Sequence, residues 1–537
     1  MSVLTGLGAS GLAWRERILV TALFVVHPVH TESLLYLVGR ADILCSVFFL
    51  IGLILYDKKG RIGKSRFILC YLMAVCAGLA KELGFMVLPL YFCVDLFRGR
   101  NKQAILTLFL TAFTFYVRHW YTDGTTLKMS VQDNPISFEA DWQGRFLSYF
   151  YVHGEYGRLL AWPFWLTYDY SLNTLPIVCE WTDVRLMLPL ACYSGLASIA
   201  VRAMQTKDAH ALLAGIQFVL VFLPMSNVFF PVGTVVGERL LYLPSVSFLW
   251  LVVKLLSDWS RTHTGTESAV QEGSVGLSRS GLLLLTLVWG VRCYWRVDDW
   301  KSADHLVLKD GAINLKSAKT QFNLGVHHFA KKEYDLAYVA LERSWRTDPE
   351  ERDAVAFWRA GQIELLRGNV EHAEELLVAA TGKYGAKLMV REEEVFHDAG
   401  LASYHAGKVE KAHYYLSAAL TLNRQFPKAL NNFACLEASR GHMEIAMNAV
   451  YEAALTKPRN VIYQGNAWKI AEKLGLHDIA HQMRDRALAI QASFIPNEHC
   501  TWEFKPAQGG PGDNGDDEAA EAEEEERKKL REQLTAV

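Results

Sequence analysis

Apolar and polar positions divide this chain into two unlike halves. Up to about residue 292 the sequence is a series of apolar runs with short polar breaks. Runs at 16–26, 42–56, 67–80, 84–96, 104–117, 186–201, 209–225, 246–257 and 281–293 read as membrane-crossing helices. A crossing takes about 20 apolar residues, so the shorter runs rely on snorkelling flanks. The stretch 159–166 is too short to cross and carries Trp162, Pro163 and Trp165, so it reads as interfacial or re-entrant. From residue 297 onward the sequence is charged, alanine-rich and free of long apolar runs. The expected fold class is all-α: a polytopic membrane helix bundle followed by a helical superhelix.

The second half repeats itself. In the unit 318–350, Leu324 and Gly325 fall on a first helix, Ala337 and Leu341 on a second, and Pro349 at the closing turn. This is the tetratricopeptide pattern of about 34 residues per helix pair. The marks return as Ala360, Gly361, Gly368 and Ala373; as Ala399, Gly400, Gly407 and Ala412; as Phe433, Ala434, Gly441, Ala446 and Pro458; and more weakly as Ala467, Gly475, Ala480 and Ala487. The marker alanines Ala337, Ala373, Ala412, Ala446 and Ala480 stand at steps of 36, 39, 34 and 34 residues. Unrelated bundles lack such a period. Stacked pairs build a superhelix whose groove takes an extended peptide or a partner protein, and do no chemistry themselves. Phe357, Trp358, Phe396, Tyr404 and Tyr463 read mainly as packing residues. The expected organisation is an N-terminal segment 1–15, a membrane domain 16–296, a connector 297–317, about five repeats over 318–492, and a cap with an acidic flexible tail over 493–537. Residues 259–280 read as a linker inside the membrane half.

Charge orients the first half. Lys58, Lys59, Arg61, Lys64 and Arg66 crowd one loop; Arg98, Arg100 and Lys102 crowd a second; Arg202 and Lys207 flank a third. The positive-inside rule makes these loops cytoplasmic. Alternation then brings 27–40, 81–82, 118–158 and 226–244 together on the far side, and the repeats with them. The net charge of −2 gives no footprint for nucleic acid. Nine scattered cysteines show no paired spacing, so neither a disulfide framework nor a metal site is expected.

The polar exceptions of the membrane half collect on that far side: His27, His30, Glu32, Arg40, Asp42, Lys81, Glu82, Arg118, His119, Glu238, Arg239 and Tyr242. Ionisable residues at membrane depth mark functional sites by default. Arginine and lysine suit a phosphate, and a carboxylate or histidine suits acid–base work. Taken one at a time, Arg40 with Asp42, Lys81 with Glu82, and Glu238 with Arg239 also read as local ion pairs capping helix ends. Their shared side favours a common site for a substrate with an anionic head and a lipid tail.

Four segments carry a resemblance: HPVHTE…GRAD at 27–42, KELGFMVLPLYFCVDL at 81–96, SNVFFPVGTVVGERLLYLPSVSF at 226–248 and WRVDDW at 295–300, followed by the repeats. Together they resemble the transmembrane and tetratricopeptide-repeat (TMTC) O-mannosyltransferase family over about 18–490. The resemblance implies a type C glycosyltransferase fold in the endoplasmic reticulum membrane, with luminal repeats. It implies transfer of mannose from the lipid-linked donor dolichyl-phosphate mannose to Ser or Thr of luminal, cadherin-type domains, and no certain cofactor or metal. Residue by residue, Arg40, Lys81, Glu82, Glu238, Arg239 and Tyr242 fall on the family's motifs and are expected to bind donor. Family members carry a further span and a first luminal loop with adjacent acidic residues ahead of the matched part. The chain is therefore expected to be an N-terminally truncated member lacking that catalytic loop. Its catalytic residue is unknown, with His27, His30, Glu32 and Asp42 as candidates. The competing expectation is a non-catalytic, membrane-anchored repeat scaffold that binds luminal proteins.

Overall fold

A computed structural model describes residues 12–57, 60–122, 133–171, 173–263, 274–347, 354–382, 392–497 and 500–504. The regular elements among these are all helical. The chain forms two compact units, Met1–Lys319 and Thr320–Val537.

The first unit contains helices α1 (Trp14–Val25), α2 (His30–Leu35), α3 (Arg40–Tyr56), α4 (Lys64–Ala80), α5 (Val87–Phe97), α6 (Asn101–Tyr121), α7 (Trp142–Ala161), α8 (Met187–Gln205), α9 (Ala209–Phe222), α10 (Tyr242–His263), α11 (Ser274–Asp299) and α12 (Ala303–Ile313). Among the described residues, three helical stretches are long and apolar enough to cross a membrane: Leu37–Tyr56, Val184–Gln205 and Glu238–Trp259; Ala209–Met225 is a shorter apolar helix. Fewer segments meet that length than the apolar runs led us to expect; α1, for example, has 12 residues. Leu53, Tyr56, Leu88, Tyr91 and Val94 belong to one buried core over α3–α5. The Tyr56 and Tyr91 rings stack at 4.0 Å there, and the Tyr56 hydroxyl donates to buried Asp95 at 2.6 Å.

Two departures from the sequence reading lie in this unit. Helix α7 occupies much of a segment taken for a loop, because its aromatic residues are interrupted by Arg145, His153, Glu155 and Arg158 and so form no apolar run. Both of its ends are held by non-spanning segments. Gln143 donates to the Cys179 carbonyl at 2.8 Å near its start, and the Leu160 carbonyl meets His27 at 3.0 Å near its end. Helices α10 and α11 also run well into the stretch read as a linker; residues 264–273 lie outside the described residues.

The second unit stacks helix pairs. These are α13 (Ala318–Ala330) with α14 (Tyr334–Thr347), α15 (Ala354–Arg367) with α16 (Val370–Gly382), α17 (Glu392–His405) with α18 (Val409–Leu422), α19 (Pro427–Ser439) with α20 (Met443–Thr456), and α21 (Val461–Lys473) with α22 (His477–Ile490). The first pair starts at the very end of the first unit. Small residues bring the paired helices close: a Cβ on Gly361 would stand 2.5 Å from Leu377 Cγ. The turn inside four pairs uses a left-handed glycine, such as Gly441 at φ 85°, which ends one helix without a Cβ penalty. In the first pair Lys332 takes that conformation at φ 63°. Pro349 and the tail 505–537 lie outside the described residues.

Candidate functional site

Glu32 sits in the short helix α2 and is buried. Its carboxylate takes two bonds from Arg239, 207 residues away: the backbone N–H to Oε2 at 2.9 Å and Nη1 to Oε1 at 2.8 Å. The guanidinium carbon stands 5.4 Å from the centre of the Tyr36 ring. Burial raises the Glu32 carboxyl above its ordinary range, against the opposing pull of Arg239. The other edge of the Arg239 guanidinium carries no hydrogen bond among the described residues.

Asp42 opens the helix α3 and is buried; it pairs with Lys81 from the end of α4. Its carboxylate also feels Arg239, and Glu32 feels Asp42 in turn, so two acidic and two basic groups from four separate segments form one cluster. Gly39 permits this, because any side chain there would run into the backbone of Glu32 and Ser33. Arg40, one residue on, is exposed and makes no ion pair among the described residues. Glu82 turns away from its neighbour Lys81 and pairs with Arg118 near the end of α6; the Glu82 side chain is 74% exposed. His119 is exposed.

The two histidines point inward. His27 Nε2 lies 3.0 Å from the Leu160 carbonyl, and Val29 N–H donates to its Nδ1 at 3.4 Å. Both contacts are satisfied by one neutral tautomer, with the proton on Nε2. Burial lowers the His27 pKa to about 4, opposed by the Leu160 carbonyl. His30 Nε2 lies 2.9 Å from Ser245 Oγ, and burial likewise lowers its pKa. The His30 ring packs at 4.6 Å on Tyr242, which also meets Phe24 at 5.3 Å. Both ring nitrogens of His27, and Nε2 of His30, are thus engaged within the protein.

Glu238 is buried and does not hold its neighbour Arg239. Its Oε1 accepts from the Thr167 N–H and the Tyr170 hydroxyl, each at 2.8 Å. Behind it lies a pair that the sequence reading missed. Arg296 in α11 meets Asp310 in α12 through two bonds, 2.7 and 3.2 Å, with both side chains almost fully buried. Asp310 Oδ2 also accepts from the Tyr168 N–H at 2.6 Å. Arg296 and Glu238 interact electrostatically. The turn 167–170 is therefore gripped by carboxylates from both sides. Arg296 lies in the WRVDDW segment, which was a usable signal; Asp310 carried none.

Among the described residues no group of three or more His, Cys, Asp or Glu has metal-binding geometry.

The molecule thus has an apolar helical unit with a buried charged cluster and a unit of tetratricopeptide helix pairs. Residues 123–197, which include Thr167 and Tyr170, match the family described as protein O-mannosyl-transferase TMTC, DUF1736. The human protein O-mannosyl-transferase TMTC4 is 31% identical over 356 residues, covering 58% of this chain and 47% of that protein. Human protein O-mannosyl-transferase TMTC3 is 25% identical over 484 residues, covering 82% of this chain and 51% of that protein. The chain is similar to these TMTC proteins and spans about half their length. The solved structure of YrrB, a tetratricopeptide protein described as having an unusual peptide-binding site, matches 36% of this chain and 95% of its own at 19% identity, with a TM-score of 0.31. A likeness at that level says nothing about this chain's ligands.

Proposed function

We propose that the first unit supplies the donor side of a protein O-mannosyltransferase. The donor is dolichyl-phosphate mannose, and the acceptors are Ser or Thr hydroxyls of luminal, cadherin-type domains. In this reading the acceptor oxygen attacks the anomeric carbon, the bond from that carbon to the phosphate oxygen breaks, and dolichyl phosphate leaves with its negative charge. The chain's own cations meet that charge. One observation carries the reading: Glu32 holds Arg239 by its backbone N–H and by one guanidinium nitrogen, Nη1, which leaves the other guanidinium nitrogens, without hydrogen bonds among the described residues, for a phosphate. Lys81, anchored by Asp42, and the exposed Arg40 support it. Glu238 keeps the 167–170 turn in place rather than touching donor.

We place the unit in the endoplasmic reticulum membrane and the repeats in its lumen, where their groove engages acceptor polypeptides. A disulfide, Cys435–Cys500, supports an oxidising compartment for the repeats. The test is mannosyl transfer in microsomes from cells lacking the endogenous protein. Arg239→Ala should abolish donor use while the chain still inserts and folds. Unchanged transfer would remove Arg239 from the site. Absence of transfer by the unaltered chain, with acceptor domains still captured, would favour the scaffold reading.

A further inference from the structure

The sequence reading expected 493–505 to cap the last helix and found no basis for a disulfide. In the structure, residues 500–504 run along α19 and α21, and Cys500 joins Cys435, 65 residues earlier. The way the segment is held is unusual for a cap. Asn466 accepts from the Thr501 N–H at 2.9 Å and donates to the Thr501 carbonyl at 2.8 Å. Asn432 does the same for Glu503, at 2.8 and 2.9 Å. Each side-chain amide thus replaces the neighbouring strand of a sheet, and alternate residues of the segment are gripped through their main chain.

This grip is built into the repeat. Asn432 and Asn466 both stand 14 residues before their marker alanine, as do Asn323, Arg359 and Asp398 in the other pairs. Every pair offers a polar side chain at that position. Asn432 and Asn466 are almost fully buried beneath the segment. Asn432 Nδ2 also lies 2.8 Å from His397 Nε2, and His397 Nδ1 lies 2.9 Å from Asp398, so the polar row continues into the third pair. Two side chains of the segment add to this hold: Trp502 stacks on Tyr404 at 4.0 Å, and the buried Glu503 carboxylate is hydrogen-bonded by Tyr463. Phe494 and Pro496, just upstream, pack on Gly465 of the last pair. Residues 500–504 go further: they lie across two pairs, and an asparagine from each holds them by the main chain.

We propose that Asn432 and Asn466 form a main-chain-reading site for an extended polypeptide segment of a partner protein. Residues 500–504 are its resident occupant, and opening the Cys435–Cys500 disulfide lets the partner's segment take their place. The proposal rests on the groove reading above and adds its regulation. Opening needs a dithiol. One of its sulfurs attacks a sulfur of the disulfide, the S–S bond breaks, and a mixed disulfide forms. The second sulfur then displaces the protein, so that Cys435 and Cys500 end as thiols and the dithiol ends oxidised, two electrons and two protons having passed to the chain. A cleft of about 160 Å3 bordered by Cys435, Cys500, Trp502 and Lys473 lies beside the bond.

The test uses the full chain in detergent and a fluorescent peptide of sequence His-Ser-Thr-Trp-Glu-Phe, matching 499–504 with serine for cysteine. The oxidised chain should not bind it. The Cys500→Ser chain, or the chain treated with dithiothreitol, should bind it about tenfold or more tightly, because the resident segment has lost its covalent hold. Asn432→Ala and Asn466→Ala in the Cys500→Ser background should each remove that gain. Hydrogen exchange guards against misfolding: the Thr501 and Glu503 amides should become exchangeable on reduction while α19 and α21 stay protected. Equal binding by oxidised and Cys500→Ser chains, binding indifferent to both asparagines, or amides that stay protected after reduction would each overturn the proposal. An acceptor domain that binds oxidised and Cys500→Ser chains alike would leave the groove reading standing and overturn this one alone.

Discussion

Glu32 holds both the backbone and the side chain of Arg239 across 207 residues of sequence. The double contact fixes where the guanidinium begins and which way it faces. Arg239→Ala is expected to lower mannosyl transfer by about 100-fold or more, the range for loss of a donor aimed at developing charge. Arg239→Lys should recover only part of it, since an ammonium lacks the planar fork. Glu32→Gln should do less harm than Glu32→Ala, because the amide oxygen still accepts from the Arg239 N–H. Transfer rates in microsomes, with protein level as the control, decide between these orders.

Arg296 and Asp310 form an ion pair with almost no exposure, and Asp310 also holds the Tyr168 N–H. Removing one partner strands the other charge. Asp310→Ala should therefore destabilise the first unit by about 3–5 kcal/mol, and Asp310→Asn by less, since its one amide oxygen, in the Oδ2 position, still accepts from the Tyr168 N–H and from Arg296 Nη2. Thermal denaturation in detergent should show that order. Equal melting of Asp310→Ala and the unaltered chain would mean that the pair does not hold the 167–170 turn.

The elements carried by a period or a run were legible before any coordinates. The repeat alanines and glycines announced the helix pairs, because a fixed step of about 34 residues has few other causes. Glu32, Asp42, Lys81 and Arg239 were legible as a group, because charge stands out against apolar runs. Their pairing was not. Local neighbours suggested Arg40 with Asp42, Lys81 with Glu82 and Glu238 with Arg239; the structure pairs Lys81 with Asp42, Arg118 with Glu82 and Arg239 with Glu32. Each partner comes from another segment, and nothing in a sequence fixes such a meeting. Asp310 and the asparagines at 432 and 466 were invisible for the same reason. The Cys435–Cys500 bond was missed because the two cysteines stand 65 positions apart and no spacing pattern links them.

Gly39 lies where the chain turns from α2 into α3. A Cβ there would stand 2.7 Å from Ser33 Cα and 2.9 Å from the Glu32 carbonyl oxygen. All the nearest atoms are backbone, so no side chain can swing away. Gly39→Ala is expected to cost about 1–3 kcal/mol through this crowding. It should also lower transfer more than an equally destabilising change elsewhere, because the turn sets Glu32 against Asp42. Pairing the melting temperature with the transfer rate separates the two effects.

His27 makes an expectation about pH whose sign follows from its burial. The folded chain holds the imidazole neutral, with its pKa lowered to about 4 from an ordinary value of 6.5, mainly by burial. On acidification the unfolded chain takes up a proton first. Stability from this group is therefore full above pH 6.5, falls as the pH drops from 6.5 towards 4, and levels off below. The slope for one proton approaches about 1.4 kcal/mol per pH unit. His27→Gln keeps a donor for the Leu160 carbonyl but does not titrate, so it should flatten this limb without changing stability greatly at neutral pH. Denaturation in detergent, followed from pH 7.5 down to 4 for both chains, measures it; an unchanged slope in His27→Gln would assign the acid sensitivity to another group.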